Sequence, residues 1–246
     1  MLGTENRLEG QAAVVTGASK GIGRASALAL ARAGASIVGV ARTASKLEQL
    51  GDEIRALGSA YGMVVGDAAD ESTATQAVKQ AIDMFGRIDL LLNNAGIGYY
   101  ADFTDCTVED YDAIMNTSMR ATFLFTRATV PIMKEQRRGL ILQISSLAGL
   151  RSFPREAIYC ASKHAQVGFT NALRQELQPF GIKVGVICPA GVKTEFALAR
   201  GRTPEFVANS GFLEPEDVAD AVLFAATQPS HARVMQMSLM SLQEPW

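Results

Sequence analysis

The feature that most constrains the fold is a glycine-rich turn at residues 16–23, which reads Thr-Gly-Ala-Ser-Lys-Gly-Ile-Gly. It follows the apolar run 12–15 and precedes residues 24–33, which are rich in helix formers. A strand, a tight glycine turn and a helix in this order present main-chain N–H groups and the positive end of a helix dipole to a phosphate. The spacing Gly-x-x-x-Gly-x-Gly is a variant of the phosphate-binding pattern Gly-x-Gly-x-x-Gly, and the turn alone is also compatible with a purely structural role.

The size and composition of the chain indicate one globular domain spanning residues 1–246. The 246 residues are 48% hydrophobic and carry a net charge of −2, which argues against disorder and against nucleic acid as a partner. No apolar run reaches the roughly 18 residues of a membrane span. The N-terminal segment 1–6 lacks the pattern of a secretion signal. We therefore expect a cytoplasmic protein that does not bind a membrane.

Cysteine and histidine usage predicts neither a disulfide framework nor a metal site. The three cysteines, Cys106, Cys160 and Cys188, are widely spaced along the chain. The two histidines, His164 and His231, make a histidine-based metal site improbable.

Strand-like and helix-like segments alternate along the chain, which is typical of a parallel sheet covered by helices on both faces. The expected strands are residues 12–16, 36–41, 61–65, 90–92, 140–144, 184–188 and 234–239. The expected helices are residues 22–33, 45–57, 72–85, 108–136, 157–177 and 215–227. Ser45 and Glu48 have the spacing of a capping box, and 108–136 is compatible with an interrupted helix. The longest irregular segment, about 194–213, is expected to form a mobile lid over a site.

Polar residues follow the carboxyl ends of the expected strands, where ligands bind in open α/β sheets. One strand runs into residues 93–96 (Asn-Asn-Ala-Gly), and the next ends at the serine pair 145–146. On the helix that follows, Tyr159 and Lys163 are spaced i and i+4 and therefore share a face. Because a nearby ammonium lowers the pKa of a tyrosine, this pair predicts a tyrosine that acts as an acid or base near neutral pH.

Taken together, these motifs resemble those of the classical short-chain dehydrogenase/reductase family over residues 8–226. The matching motifs are Thr16-Gly17-x-x-x-Gly21-Ile22-Gly23, Asn93-Asn94-Ala95-Gly96, Ser146, Tyr159-x-x-x-Lys163 and Pro189-x-x-Val192-x-Thr194. The resemblance implies an α/β fold: a single Rossmann-like doubly wound domain with a seven-stranded parallel sheet. It also implies hydride transfer between a nicotinamide and a carbonyl or alcohol.

The resemblance further implies a role for each matched residue. Tyr159 would protonate the substrate carbonyl, Lys163 would lower the pKa of Tyr159 and hold the nicotinamide ribose, and Ser146 would hydrogen-bond the substrate oxygen. The adenine would lie at Asp67 and Ala68. The implied cofactor-binding residues are Gly17, Ser19, Lys20, Gly21, Ile22, Gly23, Arg42, Asp67, Ala68, Asn94, Ala95, Gly96, Tyr159, Lys163, Pro189, Val192 and Thr194.

One position departs from the family pattern. The family's fourth catalytic residue is an asparagine, and counting from the flanking motifs places Ser118 at that position. Asn116 is two residues away, so it does not share the helix face and is not a simple replacement. The resemblance implies that a water bound at this position relays protons to the lysine. The serine puts that relay in doubt, although a serine hydroxyl plus water could substitute.

The end of the second expected strand indicates which nicotinamide is used. Ala41 occupies the slot where an acidic residue would bond the ribose 2′-hydroxyl of NAD. Arg42 follows it, and Lys20 lies inside the glycine turn. Two cations without a carboxylate suit the 2′-phosphate, and the sequence therefore predicts NADP(H) as cofactor.

The leading hypothesis is an NADPH-dependent reductase of a small-molecule ketone or 3-oxoacyl compound. Two alternatives stay open: a dehydrogenase of a small hydroxy compound, and a dinucleotide-binding regulator with weakened catalysis. The resemblance implies a homotetramer or homodimer formed through the helices that carry Ser118 and Tyr159. The segment 194–213 suggests a partly apolar substrate pocket through Phe196, Leu198, Phe206 and Phe212.

Overall fold

Seven parallel strands form one sheet in the order β3-β2-β1-β4-β5-β6-β7 in the computed structural model, which describes residues 7–198 and 200–244. The strands are β1 (Ala12–Thr16), β2 (Ser36–Ala41), β3 (Tyr61–Val65), β4 (Leu90–Asn93), β5 (Gly139–Ile144), β6 (Ile182–Pro189) and β7 (Gln236–Leu239). The chain order reverses between β1 and β4, which pair directly. Such a switch point opens a crevice beyond the carboxyl ends of the strands, where ligands of this architecture bind.

Helices cover both faces of the sheet, as the alternating pattern predicts. They are α1 (Gly21–Arg32), α2 (Ala44–Ala56), α3 (Glu71–Phe85), α4 (Val108–Met115), α5 (Ala121–Gln136), α6 (Ala157–Leu177), α7 (Pro204–Ala208) and α8 (Pro215–Ala226). Apolar side chains of α1, α2 and α8 pack on one face, and those of α3, α5 and α6 pack on the other. The expectation of a doubly wound α/β domain with a seven-stranded parallel sheet is therefore confirmed.

Two local expectations need correction, whereas the interruption of the helical segment 108–136 is confirmed. The capping box at Ser45 and Glu48 is wrong: α2 begins at Ala44 after Thr43, so Ser45 already lies inside the first turn. The helical segment 108–136 is divided by a π-helical turn. The segment 194–213 is not irregular throughout, because it contains α7.

Membrane spans and metal sites were two further questions raised by the sequence. No helix among the described residues is long and apolar enough to cross a membrane. Within the same part of the chain, no group of three or more potential ligands is placed to hold a metal ion. Residues 1–6, where no secretion signal is expected, lie outside the described residues.

Candidate active site

The glycine turn after β1 is packed so closely that no side chain fits at Gly17 or Gly23. Gly17 has φ +65°, and a Cβ there would lie 2.9 Å from the side-chain nitrogen of Asn94. A Cβ at Gly23 would lie 2.3 Å from the Gly17 carbonyl oxygen. These contacts explain why glycine occupies both positions, and they hold the turn at the start of α1, where the helix presents its free N–H groups.

Thr16 and Asn94 join the ends of β1 and β4 at the switch point. The Thr16 hydroxyl accepts hydrogen bonds from the main-chain N–H groups of Asn94 (2.9 Å) and Ala95 (3.0 Å). The Asn94 side-chain amide donates to the carbonyls of Thr16 (3.0 Å) and Gly17 (3.3 Å). Asn94 was expected to line the cofactor cleft, and the structure shows that its amide holds the glycine turn in place.

The other residues expected to hold the cofactor surround the same crevice. Val192 pairs with Leu213 in an isolated bridge after β6. The Thr194 methyl group lies 3.0 Å from the position of a Cβ on Gly21. The remaining expected residues are Ser19 and Ile22, half-buried in the turn; Asp67 and Ala68, after β3; Gly96, after β4; and Pro189, the last residue of β6.

Two serines follow β5 and have different tasks. The Ser145 hydroxyl donates to the Lys163 carbonyl oxygen (3.1 Å) and fixes β5 to α6. The Ser146 hydroxyl oxygen accepts a hydrogen bond from the Ala148 N–H (3.1 Å). Because this N–H occupies one lone pair of the Ser146 oxygen, the Ser146 proton is directed away from it and is available to an acceptor in the site.

Tyr159 lies buried on α6, with its ring centroid 6.2 Å from that of Tyr100 and 5.5 Å from that of Phe196. Burial raises the pKa of the Tyr159 hydroxyl above its usual range, and a hydrogen bond with Ser146 opposes this rise. The sequence analysis expected Lys163 to lower this pKa. In the structure burial dominates, so the phenol is protonated at neutral pH.

Lys163 shares its helix face with Tyr159 and is almost completely buried. Its Nζ lies 5.6 Å from the Tyr159 ring centroid. The ammonium donates hydrogen bonds to the Ile144 carbonyl oxygen (3.0 Å) and to Oε1 of Gln166 (3.0 Å). Burial lowers the pKa of Lys163 to about 8 because the charged form loses hydration.

Gln166 is a site residue that the sequence analysis did not identify. It is fully buried, and its amide nitrogen donates to the Ser118 carbonyl (3.3 Å) and to the Thr122 hydroxyl (2.8 Å). These two acceptors fix the orientation of the amide, so that Oε1 faces the lysine ammonium. A glutamine three residues after Lys163, on the same face of a buried helix, was the available signal in the sequence.

Ser118 lies in the π-helical turn Asn116–Arg120 between α4 and α5. It is fully buried, whereas Asn116 is exposed, so Asn116 does not replace it. Among the described residues, none hydrogen-bonds to the Ser118 hydroxyl. That hydroxyl and the Lys163 ammonium lie 3.7 Å and 3.5 Å from the position of a Cβ on Gly96, so both face the same small space.

The two cations expected to select NADP(H) have acidic neighbours that the sequence analysis did not foresee. The Lys20 ammonium pairs with Glu195 at 2.8 Å, and Lys46 pairs with the same carboxylate at 3.3 Å. Arg42 lies 3.9 Å from Asp67. Ala41 still leaves the slot at the end of β2 without a carboxylate, but Glu195 and Asp67 reach the cations from other parts of the chain. Because Glu195 is 175 positions from Lys20, only the folded chain brings the two together.

The expected substrate segment contributes fewer apolar side chains to the site than its composition suggested. Phe196 packs against Tyr159, but more than half of the Phe206 side chain is exposed. Tyr100, from the loop after β4, supplies an aromatic wall that the sequence analysis did not include.

A doubly wound sheet that brings a glycine turn and a Ser–Tyr–Lys group to one edge is the arrangement of a nicotinamide-dependent oxidoreductase. A family profile described as short chain dehydrogenase matches residues 11–204. The chain belongs to this family and is an oxidoreductase of the short-chain type.

Curated relatives match nearly the whole chain. A 3-oxoacyl-[acyl-carrier-protein] reductase from Synechocystis sp. is 34% identical over 92% of this chain and 93% of its own. A sepiapterin reductase from Chlorobaculum tepidum is also 34% identical, over 92% of this chain and 94% of its own.

Solved structures show the same architecture. An alcohol dehydrogenase from Thermococcus sibiricus, complexed with 5-hydroxy-NADP, has a TM-score of 0.87 at 26% identity and covers 96% of this chain and 98% of its own. A metagenomic short-chain oxidoreductase in complex with NADP has a TM-score of 0.82 at 32% identity, with 95% of this chain and 97% of its own covered.

Replacing Gln166 with methionine should shift the pH dependence of catalysis. The change removes an acceptor that stabilises the charged form of Lys163, so the pKa of the lysine should fall further below about 8. If activity needs the charged lysine, the alkaline limb of the pH–activity profile should lie at a lower pH in the variant than in the wild type. Turnover against pH and NMR titration of the lysine side-chain nitrogens measure the two effects. Gln143→Met is the control, because it removes a second fully buried glutamine; an equal shift in both variants would contradict the assignment.

Proposed function

We propose that the protein is an NADPH-dependent reductase that transfers hydride to the carbonyl carbon of a ketone or 3-oxoacyl compound. The observation that carries the proposal is the buried Tyr159 side chain, which lies beside Ser146 and whose ring centroid is 5.6 Å from the Lys163 ammonium. The Tyr159 hydroxyl is protonated at neutral pH, so it can donate a proton to a carbonyl oxygen during reduction.

The residues around the crevice fit a dinucleotide. The turn is closed to side chains at Gly17 and Gly23, so its backbone is accessible to a pyrophosphate at the start of α1. Lys20, Arg42 and Lys46 would hold the 2′-phosphate. The ion pairs that these three cations form with Glu195 and Asp67 are exposed to solvent. Exposed ion pairs contribute only about 0–1 kcal/mol to the stability of a protein. A phosphate dianion can therefore displace them.

In the proposed reaction the reduced nicotinamide supplies the hydride, and the chain supplies the proton. The Ser146 hydroxyl donates a hydrogen bond to the substrate carbonyl oxygen and holds it beside Tyr159. The Tyr159 hydroxyl transfers its proton to that oxygen as the alcohol forms. The Lys163 ammonium then stabilises the phenolate that remains, because opposite charges attract strongly in a buried site.

The similar proteins support NADP(H) as the cofactor, and the curated relatives support reduction, although the similar structure from Thermococcus sibiricus is an alcohol dehydrogenase. Two of them are named as reductases, of 3-oxoacyl groups and of sepiapterin, and two similar structures contain NADP or a hydroxylated NADP. A panel of ketones and 3-oxo esters, assayed with NADPH and with NADH, tests the proposal. We expect turnover with NADPH on at least one class. Equal affinity for the two cofactors would overturn the NADPH assignment, and exclusive turnover of hydroxy compounds would favour a dehydrogenase.

A second candidate is a dinucleotide-binding regulator, which is favoured by one observation: the Ser118 hydroxyl has no hydrogen-bond partner among the described residues. In such a regulator, the residue at position 118 would have no catalytic role.

Substitutions at Ser118 distinguish the two candidates. In a reductase we expect Ser118→Ala to lower turnover by less than the loss of the Tyr159 hydroxyl does, because Gln166 already holds Lys163. Ser118→Asn should fold and keep or raise activity. Steady-state turnover with NADPH measures both, with cofactor affinity as the control for folding. If the wild type is inactive on every carbonyl and Ser118→Asn is active, the regulator is the better description.

A further inference from the structure

Arg202 lies in the segment 194–213, which folds back on itself beside the active site. The Ala197 carbonyl accepts hydrogen bonds from the N–H groups of Arg200 (3.0 Å) and Arg202 (3.1 Å). Ala197 itself has φ +59°, an uncommon conformation for a residue other than glycine. This turn returns Arg202 to the neighbourhood of Phe196, and through it to that of Tyr159.

The Arg202 guanidinium is surrounded by three aromatic rings. Its central carbon lies 4.9 Å from the ring centroid of Phe212, 5.1 Å from that of Tyr100 and 5.9 Å from that of Phe196. Tyr100 and Phe196 are also the rings that pack against Tyr159. The cation and the proposed proton donor therefore contact the same two aromatic rings, those of Tyr100 and Phe196.

Arg202 differs from its neighbours in its charge environment. Arg200 pairs with Asp110 at 3.3 Å, and Arg155 pairs with Asp102 at 3.3 Å. In the part of the chain that the structure describes, no carboxylate forms an ion pair with Arg202.

Three ionisable side chains are close enough for the charge of Arg202 to act on them: Tyr100, Tyr159 and Glu156. Burial raises the pKa of the Glu156 carboxyl, and Arg202 lowers it in part. Glu156 does not come within ion-pair distance of Arg202, so the chain itself places no carboxylate directly on this guanidinium among the described residues.

We propose that Arg202 binds a carboxylate on the substrate, so that the natural substrate is an oxo acid rather than a neutral ketone. This inference rests on the proposed reductase function. A guanidinium presents paired N–H donors that match the two oxygens of a carboxylate. Aromatic walls strengthen the attraction because they exclude water from around the charges. The carboxylate at Arg202 would direct the carbonyl group of the same molecule toward Tyr159.

Matched pairs of oxo acids and their methyl esters test the inference. The series 2-oxopentanoate, 3-oxopentanoate and 4-oxopentanoate varies the distance between the carbonyl and the carboxylate. For at least one member we expect the wild type to prefer the acid over its ester by about tenfold or more in kcat/KM, the size expected for a charge-assisted hydrogen bond. Arg202→Gln should abolish this preference through a higher KM for the acid, with kcat/KM for the ester within about threefold of the wild type.

Arg200→Gln is the matched control, because it removes a second arginine of the same segment that already has a carboxylate partner. It should leave the preference for the acid unchanged. Glu156→Gln should maintain or increase that preference, since it removes a competing negative charge. Equal losses on acid and ester in Arg202→Gln would show that the arginine only packs the segment, and would overturn the inference.

Binding without NADPH separates this inference from the proposed function. Calorimetric titration of each of the three oxopentanoates into the wild type, Arg202→Gln and Arg200→Gln requires no turnover. Weaker binding by tenfold or more in Arg202→Gln alone would support the carboxylate site even if the wild type reduced no carbonyl. Equal affinity in all three proteins would overturn the inference even if the wild type reduced neutral ketones.

Discussion

Replacing Tyr159 with phenylalanine should lower turnover by at least about 10²-fold, the low end of the contribution of general acid–base catalysis. The change removes the only atom of the side chain that carries a transferable proton, and keeps the ring that packs against Tyr100 and Phe196. Affinity for NADPH should change little. Steady-state turnover on a good substrate and fluorescence titration with NADPH measure the two quantities separately.

The matched control for this prediction is Tyr61→Phe. Tyr61 lies on β3, is buried, and has a hydroxyl without a hydrogen-bond partner among the described residues. It belongs to the edge of the sheet away from β5 and β6, so its loss should not affect turnover. Wild-type turnover in Tyr159→Phe would show that another group supplies the proton.

Combining Ala41→Asp with Arg42→Ile should shift cofactor preference from NADPH toward NADH. The aspartate supplies an acceptor for the ribose 2′-hydroxyl, and the isoleucine removes a partner of the 2′-phosphate. We expect the ratio of kcat/KM for NADPH over NADH to fall by about 10–10²-fold, the size of one lost charge-assisted hydrogen bond. Lys79→Ile, which removes an exposed cation on α3, is the control for a general effect of charge.

The ion pair of Lys20 with Glu195 allows a second test of cofactor selection. Glu195→Gln should strengthen NADPH binding more than NADH binding, because the carboxylate competes with the 2′-phosphate for Lys20 and Lys46. If Glu195→Gln tightened both cofactors equally, neither lysine would contact the 2′-phosphate.

The fold and the central residues of the site could be predicted because their signals are local. The glycine turn lies within eight consecutive residues, and Tyr159 and Lys163 are one helical turn apart. The predicted bounds of β1 to β6 lie within two residues of the observed ones, because each of these strands is a short, largely apolar run between polar or glycine-containing segments.

The remainder depends on contacts between distant parts of the chain. In the sequence, Gln166 looks like an ordinary helical residue. Its role becomes visible only in the fold, where it contacts Ser118, which is 48 positions away along the chain. Arg202 becomes notable only when the ring of Tyr100 is brought to it from the loop after β4. The effect of burial on Tyr159 is likewise invisible in a spacing rule, because it depends on how many neighbours exclude water from the hydroxyl.

The π-helical turn at Asn116–Arg120 also changes the rotational phase of the helix that contains it. Its defining hydrogen bond runs from the Ala121 N–H to the Asn116 carbonyl, five residues back, so the turn accommodates one residue more than an α-helical turn. One extra residue rotates everything that follows by about 100°. With this offset, the Ser118 hydroxyl faces the same small space as the Lys163 ammonium, while Phe125, farther along, is fully buried in the core against the sheet. Deleting one residue from this turn would therefore leave a more regular helix. In that helix either Ser118 could face the site or Phe125 could be buried in the core, but not both.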